Sequence, residues 1–238
     1  VDPLEIIEQY GADALRFSLC MGVSPGNDMR FSIDKVEMAR NFANKVWNAS
    51  RFVLMNMDGA ETLEGKSLLT PDKWILTKYQ SALRDVTRAY EDADYGMITQ
   101  RLYDFIWSEF CDWYIELAKS ALLGDDPARK SAVRAVLQEV LSGLLRMLHP
   151  FMPFLTEELY KNLPAHEGQS CMMSSWPLAE EKYDFPEESA RMEGVMEIIR
   201  VIRNLRADMN VQPGHKARLM LVPAEGWLGT LTSSEIYF

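Results

Sequence analysis

The sequence predicts a mainly α protein, an antiparallel helix bundle with a small α/β piece at each end. Three observations lead there. Apolar residues recur at helical spacing over two long stretches, 38–57 and 97–123. Helix start and stop signals punctuate the chain at Asp2-Pro3, Thr70-Pro71-Asp72, Gly124-Asp125-Asp126-Pro127 and His149-Pro150. Only two segments, 172–176 and 216–222, carry strand character.

The elements follow in order. Asp2 is placed to cap a short first helix, with Pro3 at its first position and Glu5 able to close a capping box. Gly11 breaks that helix after Tyr10, and 12–21 forms a second. Residues 23–31, with Ser24-Pro25-Gly26-Asn27, read as a loop or short extended piece. Ser32 is the expected cap of the long helix that runs to Met57, with Asp34 and Glu37 in its first turns, where the dipole favours anions. Residues 58–69 are a linker. Thr70-Pro71-Asp72 opens a helix to Asp92, and Asp94-Tyr95-Gly96 resets the chain for a single long helix over 97–123. Gly124 to Pro127 stops one helix and starts the next, 128–148. His149-Pro150 ends it, because the residue before proline avoids the helical region. A short helix, 154–162, closes the bundle. Beyond a loop-like stretch, Asp184 and Glu187 form an expected capping box for a helix to Met209, and 216–222 reads as a strand ended by Pro223.

Charge excludes some functions. With 35 Asp and Glu against 25 Lys and Arg, the net charge is −10, so the chain is no generic polyanion binder. A nucleic-acid site must then be a local patch on a repelling body, with modest, salt-sensitive affinity. Cys20, Cys111 and Cys171 lie far apart without a CxxC pair, which argues against a zinc knuckle or disulfide framework and fits a reducing compartment. No apolar run reaches membrane-spanning length, and no signal peptide is visible. Both ends read as boundaries inside a longer chain.

One stretch breaks the acidic pattern: no Asp or Glu falls between Glu37 and Asp58. On a helix of 3.6 residues per turn, Arg40, Asn41, Asn44, Lys45, Asn48 and Arg51 share one face, with Phe52 at its margin. Phe42, Ala43, Val46, Trp47, Ala49, Val53, Leu54 and Met57 take the opposite, core-facing side. Two readings of the polar face stand open. It is a solvated helix surface, or it suits phosphates and unstacked bases. On the 97–123 helix, Arg101, Ser108, Asp112, Glu116 and Lys119 form a polar stripe flanked by Trp113, opposite Tyr103, Ile106, Trp107, Phe110, Tyr114 and Leu117. That stripe is either a surface laced with pairs three and four apart or a source of carboxylates that accept from cytosine N4.

Other motifs are excluded. Gly59 to Ser67 resembles a phosphate loop only superficially, because five residues separate its glycines and no strand precedes them. His149, His166 and His215 have no ligand spacing, so neither a metal site nor a Ser-His-Asp arrangement is supported. His149 sits at a helix C-terminus, where protonation is expected to be favoured. Arg200, Arg203 and Arg206 form a basic face on the late helix, either solvated or touching a phosphate backbone. No catalytic cluster appears.

Several blocks carry a family resemblance. Asp2-Pro3-Leu4-Glu5 with Tyr10-Gly11-Ala12-Asp13-Ala14-Leu15-Arg16 resembles the segment after the KMSKS loop of class I aminoacyl-tRNA synthetases. Ser24-Pro25-Gly26-Asn27-Asp28-Met29-Arg30-Phe31 and the run Arg40 to Phe52 are similar to valyl-tRNA synthetases in particular. Phe110-Cys111-Asp112-Trp113-Tyr114-Ile115-Glu116, His149-Pro150-Phe151-Met152-Pro153-Phe154 and Ile199 to Asn210 fit the same family's anticodon-binding and following regions.

The resemblance implies three regions: the end of the stem-contact fold (1–33), the helical anticodon-binding bundle (34–165) and a truncated linker region (166–238). It implies a cytoplasmic, monomeric parent enzyme that joins valine to its tRNA using ATP and Mg. Neither HxGH nor KMSKS occurs here, so this piece is expected to be non-catalytic and to hold no cofactor. The implied partner is the anticodon arm of a valine tRNA. Carried over by motif, Lys45, Arg51 and Phe52 lead the RNA-binding candidates, Arg51 for a base edge or phosphate and Phe52 for stacking. Arg40, Asn44, Asn48, Glu116 and Lys119 complete the set, with Glu116 expected to accept from cytosine. The alternatives are a helical protein–protein module and the equivalent domain of an isoleucyl- or leucyl-type enzyme.

Overall fold

The computed structural model describes residues 2–23, 30–212 and 214–238. The Ser24–Met29 part of the predicted loop, and of the block similar to valyl-tRNA synthetases, lies outside the described residues.

Helices α1 (Pro3–Tyr10) and α2 (Ala12–Cys20) form a hairpin broken at Gly11, whose φ of 90° is open to glycine. Asp2 caps α1 by accepting the Leu4 amide at 2.9 Å. Helix α3 runs Ile33–Asn56, one residue from the expected end. Ser32 stands at its N-cap position, but its side chain makes no capping bond. Helix α4 (Thr70–Glu91) begins where Pro71 and Asp72 predict, with Asp72 Oδ2 accepting the Leu69 amide at 2.9 Å. Helix α5 (Tyr95–Asp104) is capped by Asp94, which accepts the Met97 amide at 3.0 Å. Helices α7 (Pro127–Leu148) and α8 (Pro153–Lys161) each start on a proline, and Asp126 caps the first. Helix α9 (Pro186–Asp208) lies along α4.

The predicted 97–123 helix is continuous but not uniform. After α5, residues Phe105–Tyr114 are π-helical, and α6 (Ile115–Leu123) completes the element. Hydrogen bonding i→i+5 widens each turn by about a residue. Ile98, Leu102, Ile106, Phe110, Tyr114 and Ala118, four residues apart, therefore all stay buried. A uniform α-helix at about 100° per residue turns such a series steadily away from the core.

A single apolar core joins α1 through α9. Phe17 of α2 stacks on Phe42 of α3 at 5.0 Å and meets Phe151 edge-on at 6.2 Å. Helices α4 and α7 approach closely because position 143 is glycine: a Cβ there lies 1.9 Å from the Tyr79 hydroxyl. Among the polar groups, Asp72 is fully buried. It receives both guanidinium nitrogens of Arg129, the Tyr114 hydroxyl at 2.9 Å and the Leu69 amide. Burial and the Asp72 carboxylate push the Tyr114 phenol well above its ordinary range.

Two sequence blocks named separately above meet here. Asp13 of α2 accepts the Phe154 and Leu155 amides at 3.3 and 2.7 Å, capping α8 from across the chain. Arg16 donates to the carbonyls of Pro150 and Phe151 at 2.8 and 3.3 Å.

Four expectations are corrected. No strand forms among the described residues: Cys171–Met173 is a 3₁₀ turn, and 216–222 has no regular secondary structure. Asp184 does not cap α9. It pairs with Arg84 at 2.9 Å, while Thr77 Oγ1 accepts the Phe185 amide. His149 is not favoured in its charged form, because burial lowers its pKa despite the helix end and the nearby Glu157 and Asp13. Trp47 is not a core residue but stands 42% exposed. After α9, helix α10 (Leu228–Ser233) returns to α9, with Trp227 packed where a Cβ at Gly194 would clash at 2.2 Å.

Candidate nucleic-acid interface

Helix α3 fixes the site. Val36, Ala39, Phe42, Val46, Ser50 and Val53 are buried at spacings of three and four, which turns the opposite face outward. The carboxylate-free stretch is on that outer face. Asn44, Asn48 and Arg51 are exposed, and none of the three makes an ion pair or hydrogen bond with the described residues. Arg40 is half-buried, with its guanidinium 5.5 Å over the Tyr10 ring and donating to Asn41.

The neighbouring π-helix and α6 change the remaining candidates. Lys45 Nζ lies 2.5 Å from Asp112 Oδ1 and 3.9 Å above the Trp107 ring, which itself stacks on Tyr103 at 5.4 Å. Lys119 pairs with Glu116 at 2.6 Å and sits 5.7 Å over the Phe52 ring. Two carboxylate–ammonium–aromatic groups thus form, Asp112–Lys45–Trp107 and Glu116–Lys119–Phe52, their acids four residues apart. The acid-free face is therefore bordered by acids from another element. Glu116 already accepts from Lys119, and Phe52 is half-buried against the core under that ammonium.

The structure brings Lys45, Phe52, Glu116 and Lys119 into one strip and leaves Asn44, Asn48 and Arg51 open beside it. It also adds residues that the sequence reading missed. A uniform helical wheel puts Asp112 and Trp107 on opposite sides, yet both hold Lys45. Hydropathy draws Trp47 to the core side, although helical spacing puts it three residues from Asn44 and four from Arg51. Cys111, beneath Lys45, is no reactive thiol: burial pushes it up to about 12.

Elsewhere the candidates are occupied. Arg200 and Arg203 both cover Trp113, at 5.3 and 5.5 Å, and Arg200 also pairs with Glu197. Arg206 donates to the carbonyls of Gln212 and His215. In the 58–69 linker, Lys66 is held by Glu61 and Ser131, and Gln138 brackets the Glu61 backbone. Among the described residues no cluster of His, Cys, Asp and Glu has the arrangement of a metal site. No helix among them is long and apolar enough to cross a membrane.

Comparison with known proteins agrees with this architecture. Residues 72–221 match the family model for the anticodon-binding domain of tRNA ligases. The chain is 49% identical over 214 residues to the valine–tRNA ligase of Bacillus licheniformis, covering 88% of this chain and 24% of that protein. It is 50% identical over 215 residues to that of Halalkalibacterium halodurans, covering 89% and 24%. It is 46% identical over 242 residues to that of Bacillus cereus, covering 100% and 27%. The chain thus spans about a quarter of the length of these curated relatives. Among solved structures, the agnB2 LeuRS of Agrobacterium radiobacter K84, in a ternary complex with tRNA and LeuAMS, shares the fold with a TM-score of 0.61. That match covers 78% of this chain and 22% of the other, at 19% identity.

Proposed function

Because the chain belongs to the family of anticodon-binding domains of tRNA ligases, we propose that it binds the anticodon arm of a valine-specific tRNA as part of a valine–tRNA ligase. The observation that carries this reading is the open strip of α3. Arg51, Asn44 and Asn48 offer a cation and amides without a partner among the described residues, on a body whose net charge of −10 repels RNA elsewhere. Exposed amides and a guanidinium fork match base edges and phosphates in an opened loop. The valine–tRNA ligases at 45–50% identity support the amino-acid assignment.

In this reading, residues 1–33 belong to a stem-contact region, 34–165 to the anticodon bundle and 166–238 to a linker region. ATP and Mg serve the parent enzyme through parts of it that lie outside this chain. The parent acts as a cytoplasmic monomer. Lys45 and Lys119 serve as phosphate ligands once RNA displaces Asp112 and Glu116. Arg51→Ala is expected to weaken binding of a valine-tRNA anticodon hairpin by about 1–3 kcal/mol. An unchanged dissociation constant at moderate salt, with the fold intact, counts against the reading.

A further inference from the structure

We propose that Trp47 is a stacking platform for an unpaired RNA base, the aromatic member of the open α3 strip. This rests on the anticodon-arm reading and adds a residue to it. Tryptophan on a helix that packs on both sides is ordinarily drawn into the core. Here the indole is 42% exposed and is not among the side chains packed against the core. Its ring makes no aromatic or cation–π pair with the described residues, and its N–H donates to none of them. The chain's five other tryptophans have settled partners, close packing or deep burial, Trp227 lying against Gly194 of α9. Trp107 holds Lys45, Trp113 lies under Arg200 and Arg203, Trp176 donates to Thr87, and Trp74 is 1% exposed.

The neighbours of Trp47 on the wheel identify its occupant. Asn44 precedes it by three residues and Arg51 follows it by four, so all three project from one ridge. Both neighbours are exposed and without partners among the described residues. No carboxylate interrupts the helix between Glu37 and Asp58. An apolar protein segment gains nothing from a guanidinium and amides at this spacing. A nucleotide matches each: the base covers the indole, its phosphate meets Arg51, and its edge reaches Asn44 or Asn48. Phe52, the aromatic that the resemblance nominates, is half-buried under Lys119, so Trp47 is the more open ring on this helix.

The test uses the 238-residue chain and an RNA hairpin with a valine anticodon loop, at low salt. Trp47→Leu keeps an apolar side chain without a π face and is expected to weaken binding by about 5- to 150-fold. Trp47→Phe keeps the face and is expected to stay within a few-fold of the wild type. RNA is also expected to quench wild-type tryptophan fluorescence to an extent that Trp47→Phe lacks. If Arg51→Ala weakens binding while Trp47→Leu does not, this proposal falls and the anticodon reading stands. If the wild-type chain binds no hairpin even at millimolar concentration, both fall. If Trp47→Leu and Trp47→Phe lose binding equally, the contact is not stacking and the proposal is overturned.

Discussion

Asp112 is the residue whose replacement tests the electrostatics of this surface most directly. It holds the Lys45 ammonium at 2.5 Å, with side-chain exposures of 49% for the acid and 24% for the base. A pair this exposed contributes only about 0.2–1 kcal/mol to folding, and Trp107 still holds the ammonium from below at 3.9 Å. Asp112→Asn should therefore leave unfolding stability within about 1 kcal/mol of the wild type. Its effect on RNA is of opposite sign. A phosphate roughly 5 Å from the carboxylate is repelled by about 0.8 kcal/mol at the dielectric of water, so its removal tightens binding about three- to fivefold at low salt. Because Lys45 already meets a phosphate in the wild-type complex, the number of phosphates neutralised, and with it the slope of log K against log salt, should stay unchanged. Fluorescence anisotropy of a labelled anticodon hairpin between 50 and 200 mM salt, roughly the range over which such slopes are read, measures both. A folded Asp112→Asn chain that binds more weakly refutes the reasoning, because the carboxylate then orients Lys45 rather than competing with RNA for it.

Two further predictions concern the fold that presents this surface. Asp72→Ala strands the Arg129 guanidinium and the buried Tyr114 hydroxyl, so urea unfolding should report a loss of about 3–5 kcal/mol. A loss under 1 kcal/mol is inconsistent with the network described. Burial lowers the His149 pKa below its ordinary 6.5, so the unfolded chain takes up that proton first as pH falls. This contribution is complete above the ordinary value and is lost as pH drops through it toward the folded value. The wild type should accordingly lose Tm relative to His149→Gln between neutral pH and pH about 5, and parallel curves for the two proteins sink the assignment.

Much of this molecule is legible one turn at a time. Prolines at first helical positions, aspartates before them and apolar spacing of three and four act within a few residues of the chain. They set α3, α4, α7 and α8 within a residue or two of where they form. The carboxylate-free face of α3 is equally local, since it needs only the helical period. Where a property depends on a second element, local reasoning stops. Residues 216–222 are apolar enough for a strand, but a strand needs a ladder partner and none is supplied among the described residues. His149 sits at a helix end that favours charge, and the protein packed around it reverses the preference.

The π-helical turns of 105–114 swing Asp112 and Trp107 together onto Lys45, a meeting that a uniform α-helical wheel forbids. Trp47 marks the same limit from the other side. Hydropathy sends an indole inward, yet only the packing of whole helices decides which flank of α3 has a neighbour to cover it. Sequence alone thus determines which residues share a helix face, because that follows from covalent geometry and the backbone's hydrogen-bond period. Tertiary structure decides which of those faces are neutralised, covered or left open, because charge pairing and burial belong to distances between elements.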